Sequence, residues 1–254
     1  MQPRLLYLDL ETSPVCGFAW GQYEVNLVGI YRDWSILSFC AKWDDGPAEV
    51  FTIDPPKSLR HFLENKESDK RLVKDLWRFL DQADIVVMQN GDRFDVKKSN
   101  ARFLYYNLPP PSPYKTVDTL KAVKKVSANT SNKLDDLGHL YNLGRKVEHQ
   151  GFSLWVSCMS GDKSAWKTMR EYNEGDVLLL EKLYKRLLPW ISNHPNLDNY
   201  SPITCCPKCQ STNLIRKGYQ YNKTTKYARI LCKDCGGWSR SPVNIAEKRP
   251  IVSI

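Results

Sequence analysis

Two C-x-x-C pairs, Cys206-Pro207-Lys208-Cys209 and Cys232-Lys233-Asp234-Cys235, stand 22 residues apart near the end of this 254-residue chain. No other feature limits the fold so sharply. Four thiolates delivered as two close pairs match the tetrahedral preference of zinc, and a segment of about 50 residues has too little apolar interior to fold unaided. One structural zinc ion would supply that stability. The alternative, two disulfides, is disfavoured because the opening Met-Gln-Pro-Arg-Leu-Leu-Tyr-Leu-Asp reaches an acid too early for a secretory leader. Cys205 is a spare thiol, a ligand in place of Cys206 only if the register differs. Cys16, Cys40 and Cys158 are isolated and read as small buried hydrophobes.

Charge follows the same division. Residues 1–200 hold 27 Lys/Arg against 26 Asp/Glu, while residues 201–254 hold 10 against 2, so the net charge of +9 lies almost wholly in the tail. A localised positive segment favours a polyanion. Between the knuckles, Arg216, Lys217, Tyr219, Tyr221, Lys223, Lys226, Tyr227 and Arg229 alternate well enough for a hairpin. Cations interleaved with rings suit single-stranded nucleic acid, and packing on the rest of the chain or on a partner protein is the alternative.

Upstream, RLLYLDLET, WSILSFCAKW and AEVFTI read as strands, with turn chemistry at Asp44-Asp45-Gly46-Pro47. Helical spacing begins at Asp69, DIVVMQ is another strand, and residues 95–106 are helical up to Pro109-Pro110-Pro111. A short strand near 115–117 precedes mostly helical sequence to about 188. This order predicts an α/β fold with a mixed sheet. We divide the chain into a main domain over 1–190, a Pro-rich linker over 191–203, a ribbon over 204–241 and a tail over 242–254. No apolar run is long enough to cross a bilayer, and a soluble, intracellular, cytoplasmic protein is expected.

Asp9 and Glu11 are two apart on a strand, so both project from one face at its far end. Neighbouring carboxylates repel unless a cation lies between them. Asp95 follows DIVVMQ through the turn Asn90-Gly91-Asp92-Arg93-Phe94, with Asp92 as its local competitor, and sites in α/β sheets form beyond the carboxyl ends of strands. Tyr172 and Asp176 share a helical face in MREYNEGDVLLLEKLY, at the edge of an apolar stripe. Each feature alone has an ordinary structural explanation: a solvated strand end, a helix cap, a polar helix turn.

Taken in order, LYLDLET, QNGDRFD and YNEGD resemble the three exonuclease motifs of the DEDD (DnaQ-like, ribonuclease-H-fold) superfamily, over roughly residues 4–190. Tyr172 stands four before the last Asp, and position 171 is Glu rather than His, so the pattern is similar to the DEDDy subclass. The whole chain is also similar to exonuclease-like proteins of tailed phages, which would place it in the host cytoplasm. The resemblance implies a mixed five-stranded sheet flanked by helices and a 3′–5′ exonuclease acting on nucleic acid with a free 3′ end. It makes Asp9, Glu11, Asp95 and Asp176 the ligands of two Mg²⁺ or Mn²⁺ ions. Hard oxygen donors suit those ions. It also implies that the ion held by Asp9 and Asp176 binds the attacking water and that the other, held chiefly by Asp9, stabilises the leaving 3′ oxygen. On that resemblance Glu11 and Tyr172 would orient the water, while Thr12 and Asn90 would contact substrate. A phenol with an ordinary pKa near 10 positions better than it abstracts. On the same resemblance His61, His139, His149 and His194 are surface or structural residues. Single-stranded DNA is the first-choice substrate. The alternatives are a ribonuclease or structure-specific nuclease of the same fold, and a non-catalytic nucleic-acid-binding module.

Overall fold

An eight-residue run whose first four side chains are all buried needs cover on both faces, which is the situation of a central strand. In the computed structural model, which describes residues 2–21, 23, 26–248 and 251–252, that run is β1 (Leu5–Thr12). A small separate hairpin follows, β2 (Cys16–Phe18) and β3 (Gly29–Arg32), and then β4 (Ile36–Trp43) and β5 (Ala48–Thr52) add antiparallel strands beside β1. Two short helices, α1 (Leu59–Glu64) and α2 (Lys70–Gln82), lead to β6 (Ile85–Met88), which runs parallel to β1. Helix α3 (Asp95–Tyr105) carries the crossover to β7 (Lys115–Asp118), parallel to β6. The sheet order is β5-β4-β1-β6-β7. This is the mixed sheet expected from the sequence, with the five strands that the resemblance implies and the strand carrying Asp9 and Glu11 in the middle.

Residue parity along β1 divides the interior. Leu6, Leu8 and Leu10 face a core built with α2, α6 (Phe152–Met159) and the first half of α7 (Lys163–Leu187). Leu5 and Tyr7 face a second core with α4 (Thr119–Val126), α5 (Leu134–Leu140) and the second half of α7. Helix α7 starts on Asp162, whose carboxylate accepts the N–H groups of Ser164 and Ala165. It buries Trp166, Met169 and Tyr172 in the first core and Val177, Leu180 and Leu183 in the second. Each fully buried side chain of this kind contributes about 1.5–3 kcal/mol. Tyr172, Asn173 and Asp176 occupy positions that the helical period assigns to the core, so a polar island is set at the changeover between the two interiors.

After two 3₁₀ turns the chain forms a three-stranded antiparallel ribbon, β8 (Leu214–Tyr221), β9 (Lys226–Cys232) and β10 (Trp238–Asn244), with β9 central. The ribbon is seated on the main body. Ile191 and Leu197 are buried in the second core, Cys209 packs against it, and the Lys208 ammonium donates to the Pro189 carbonyl at 2.6 Å. Among the described residues, no helix is long and apolar enough to cross a membrane.

Candidate active site

Asp9 and Glu11 lie on the same side of β1 as Leu5 and Tyr7, the side that packs with the second half of α7, and this is what brings them to Asp176. One carboxylate oxygen from each of Asp9, Glu11 and Asp176 lies within 4.8 Å of the others. Asp9 and Glu11 are half-buried, whereas Asp176 is buried. Asp95 is also buried but stands outside this tight triple; its Oδ1 accepts the Leu10 N–H at 3.1 Å, tying the start of α3 to the far end of β1. The turn before it is fixed by Asp118, which accepts the Asn90 N–H at 3.0 Å and caps α4 through Leu120 and Lys121. Gly91 is required there, since a Cβ would meet the Met88 side chain at 2.2 Å. Asp92, the local competitor of Asp95, is an ion-pair partner of Lys121 at 2.7 Å. Asn90, with φ of +62°, lines a cleft of about 680 Å³ together with Asp9, Lys124, Ser131, Lys133 and Lys146. Thr12 ends β1 after a register shift and pairs with Ile36.

Tyr172 is buried beside the acids. Its hydroxyl accepts from the Lys146 ammonium at 2.8 Å, and the same ammonium reaches Asp176 Oδ2 at 2.6 Å. Lys146 has no signal in the sequence beyond lying in the loop between α5 and α6. Asn173 is a second residue missed by sequence reasoning. Fully buried, it donates to Asp9 Oδ2 at 2.8 Å and accepts from Ser38 Oγ at 3.1 Å, bracing Asp9 from α7. Its position three before Asp176 puts both on one helical face and could have revealed it. His149 packs edge-on to Tyr172 at 4.6 Å between ring centroids and lies 5.3 Å from Trp155, so it is structural in the sense of walling the site. His194 is likewise packed, its Nε2 2.7 Å from the Tyr184 hydroxyl.

The electrostatics are those of acids crowded without a cation. Desolvation, then repulsion from Glu11, Asp95 and Asp176, holds the Asp9 carboxyl well above its ordinary range. Glu11 is pushed up to about 8 by desolvation and then by Asp176. Burial raises Asp95 to about 7 against the pull of the Leu10 N–H, and raises Asp176 against the pull of Lys146. Tyr172 is pushed further from neutrality, first by burial and then by Asp176 and Glu11. Asp176 Oδ1 is buried with no hydrogen-bond partner. A buried, unpaired carboxylate oxygen on a residue clustered with two other acids costs free energy unless a hard cation takes it. The donor set therefore fits divalent metal.

In the ribbon, Cys206, Cys209, Cys232 and Cys235 bring their sulfurs within 4.8 Å of one another. The Cys206–Cys235 and Cys209–Cys232 separations are both 3.7 Å. Zinc–sulfur bonds of about 2.3 Å in a tetrahedron require sulfurs about 3.8 Å apart. The knuckles therefore fit a zinc ribbon. Cys205 is excluded from the cluster, its N–H donating to Asp198 at 2.7 Å.

Comparison with curated proteins returns no match. Among solved structures, the chain is similar to the family B DNA polymerase from the hyperthermophilic archaeon Pyrobaculum calidifontis, with a TM-score of 0.54 and 14% identity. The similarity covers 88% of this chain and 32% of the polymerase, and at that identity it describes the fold. A profile of the RNase_H superfamily matches residues 6–188, which include the sheet, Asp9, Glu11, Asp95 and Asp176. The chain belongs to the RNase_H superfamily.

Proposed function

We propose that the protein is a metal-dependent 3′–5′ exonuclease of DEDDy type that hydrolyses phosphodiester bonds of nucleic acid, single-stranded DNA first. The observation that carries this reading is the meeting of Asp9, Glu11 and Asp176 within 4.8 Å, with one Asp176 oxygen buried and unpartnered. Superfamily membership supports nuclease chemistry in general, and the motif order supports the direction.

Asp9, Glu11, Asp95 and Asp176 hold the divalent ions, which when bound acidify the attacking water and neutralise charge at the leaving oxygen. The remaining work belongs to the chain's own residues. Asn173 fixes the rotamer of Asp9 and Lys146 that of Asp176, so both oxygens are aimed before substrate arrives. Tyr172 positions the nucleophile; burial and neighbouring acids raise its pKa, which disqualifies it as a base near neutrality. Thr12 contacts the terminal nucleotide and Asn90 the substrate. The body over 1–190 carries catalysis, and 204–241 is a zinc-bound module joined by 191–203, with 242–254 as a tail; the last ribbon strand runs three residues into that tail, to Asn244, and Ile191 and Leu197 of the joining segment are buried in the body's second core.

The test is release of nucleotides from end-labelled single-stranded DNA and RNA with Mg²⁺ or Mn²⁺. Label position reports direction. We expect release from the 3′ end, abolished by chelator and reduced at least about 10²–10³-fold by Asp9→Ala or Asp176→Ala. Undiminished hydrolysis in both variants would remove these residues from the mechanism.

A further inference from the structure

Strands β9 and β10 carry an arrangement that folding alone does not explain. Arg229 on β9 and Arg240 on β10 are directly paired across the ribbon. Opposed residues on antiparallel strands project from one face, and like charges in that position destabilise the sheet. Among the described residues, no carboxylate relieves the pair. The acids of residues 201–254 are Asp234, engaged by Ser211 and Asn213, and Glu247. Among the described residues, neither arginine forms an ion pair. Each guanidinium instead lies over a ring on the neighbouring strand: Arg229 over Trp238 at 4.7 Å, and Arg240 over Tyr227 at 3.9 Å.

Register explains the pattern. Trp238 opposes Leu231, and Asn244 opposes Tyr227, so Tyr227, Arg229, Trp238 and Arg240 all share the face of the Arg–Arg pair. Both arginines are exposed, and Trp238 is 44% exposed. Arg229 is also oriented from the opposite edge, where its Nε donates to the Lys217 carbonyl at 3.1 Å within a bulge of β8. Gly218 in that bulge has φ of +77°, and a Cβ there would lie 3.3 Å from the Arg229 guanidinium. Two oriented cations without an anion, each flanked by an aromatic surface, match a phosphate between two stacked bases. The other face of the ribbon is also basic and aromatic, but there Lys226 opposes Tyr221 and Arg216 opposes Ile230, so no like charges confront one another.

We propose that the β9–β10 face of the ribbon, built on Arg229, Arg240, Trp238 and Tyr227, is a binding site for single-stranded nucleic acid, with the arginine pair gripping the phosphate backbone and the rings stacking bases. The inference rests on the nuclease reading only for the identity of the polymer, and it requires no hydrolysis.

The test is fluorescence anisotropy of a labelled 20-nucleotide single strand with the full zinc-loaded chain in an Asp9→Asn background, which separates binding from cleavage. We expect Arg229→Ala/Arg240→Ala to weaken binding about 10-fold or more and to reduce the slope of log affinity against log salt by about 1. Trp238→Ala should weaken it about 5-fold or more with the slope unchanged. Arg229→Lys/Arg240→Lys should retain the slope. Zinc content of each variant, measured by chromophoric release, excludes loss of the ribbon as the cause. Parental affinity in the double alanine variant would overturn the proposal, as would a loss confined to Arg216→Ala/Lys226→Ala or tighter binding of duplex than of single strand. If the unsubstituted chain releases no nucleotide in Mg²⁺ or Mn²⁺ while these binding losses hold, the nuclease reading fails and the ribbon site stands. If hydrolysis proceeds and the double variant binds normally, the reverse is true.

Discussion

Asn173 reaches Asp9 across 164 residues of sequence, and Asp176 follows it on the same helix, whereas the four ribbon cysteines come from two turns at the ends of short strands. In the body, two apolar cores fix β1 and α7 so firmly that three carboxylates are forced together despite desolvation and mutual repulsion. In the ribbon, the strands bury little: β8 has no buried residue, and β9 has only Cys232. Packing therefore imposes the acid cluster on the body, and the thiol cluster is what holds the ribbon together. A bound cation would relieve repulsion in the first and would supply the core of the second.

The sharpest way to break this contrast is to remove zinc. With a strong zinc chelator, limited proteolysis should cut the basic strands between Leu214 and Asn244 quickly while a fragment ending near residue 190 stays protected and its melting transition persists. Classical metal-dependent modules unfold without their ion, so the expected change in the ribbon is its whole stability. Loss of both regions at one transition would show that the ribbon is an extension of the second core, through Leu197 and Cys209, and would erase the distinction.

Lys146 tests the body from within. Its ammonium holds Asp176 at 2.6 Å and Tyr172 at 2.8 Å, the kind of support whose loss costs about 10–100-fold in activity or metal affinity. Lys146→Met should lower kcat by that factor and leave strand binding through the ribbon unchanged. An equal fall in both would mean that the cleft and the ribbon hold the strand as one surface.

Much of this was open to reading in the sequence, for identifiable reasons. Asp9 and Glu11 announce themselves because a strand's period is short and its apolar half is continuous; Tyr172 and Asp176 do so because they interrupt a helical apolar stripe. The cysteine spacing is nearly a geometry in itself. Lys146 and Asn173 were not found because each acts through a contact made only in three dimensions, one from a loop without periodicity and the other disguised as an ordinary core-stripe position. Trp155 likewise reaches Glu11 from another helix. The hairpin β2–β3 was missed because each of its strands has only three or four residues, too few for a period to show. The confronting arginines of the ribbon depend on strand register, which composition does not fix.

Protonation gives a subtler measure. Glu11 titrates near 8 and Asp95 near 7 in the metal-free fold, against ordinary values of 4.5 and 3.8, so the folded state binds more protons than the unfolded chain across that interval. Stability of the metal-free protein should then fall as pH rises from about 4 to 8, because the unfolded acids ionise first. Mn²⁺ should restore it, and the gain in melting temperature should grow with pH over the same window. Calorimetry with and without Mn²⁺ reads this directly. A gain independent of pH would mean that the ions do not displace protons from these acids. Zinc added to the ribbon's thiols, none of which belongs to this acid cluster, should leave the slope unchanged.

The smallest effect separates two roles for one phenol. If Tyr172 were the general base, its loss would cost about 10²–10⁴-fold and remove the dependence of rate on its ionisation. Burial and the neighbouring Asp176 and Glu11 push its pKa upward, so near pH 7 the phenol keeps its proton and offers no phenolate to act as base, while its oxygen is already engaged by the Lys146 ammonium. Its ring is held independently of the hydroxyl by edge contacts with His149 and Trp155. Tyr172→Phe therefore keeps the wall of the site and forfeits one hydrogen bond, about 0.5–1.5 kcal/mol, so kcat should fall by no more than about 10-fold with the pH profile unchanged. Tyr172→Ala also removes the ring against which His149 and Trp155 pack, and should cost more than Tyr172→Phe. Equal losses in the two variants would put the chemistry in the hydroxyl rather than in the packing that, in this half of the molecule, does the positioning.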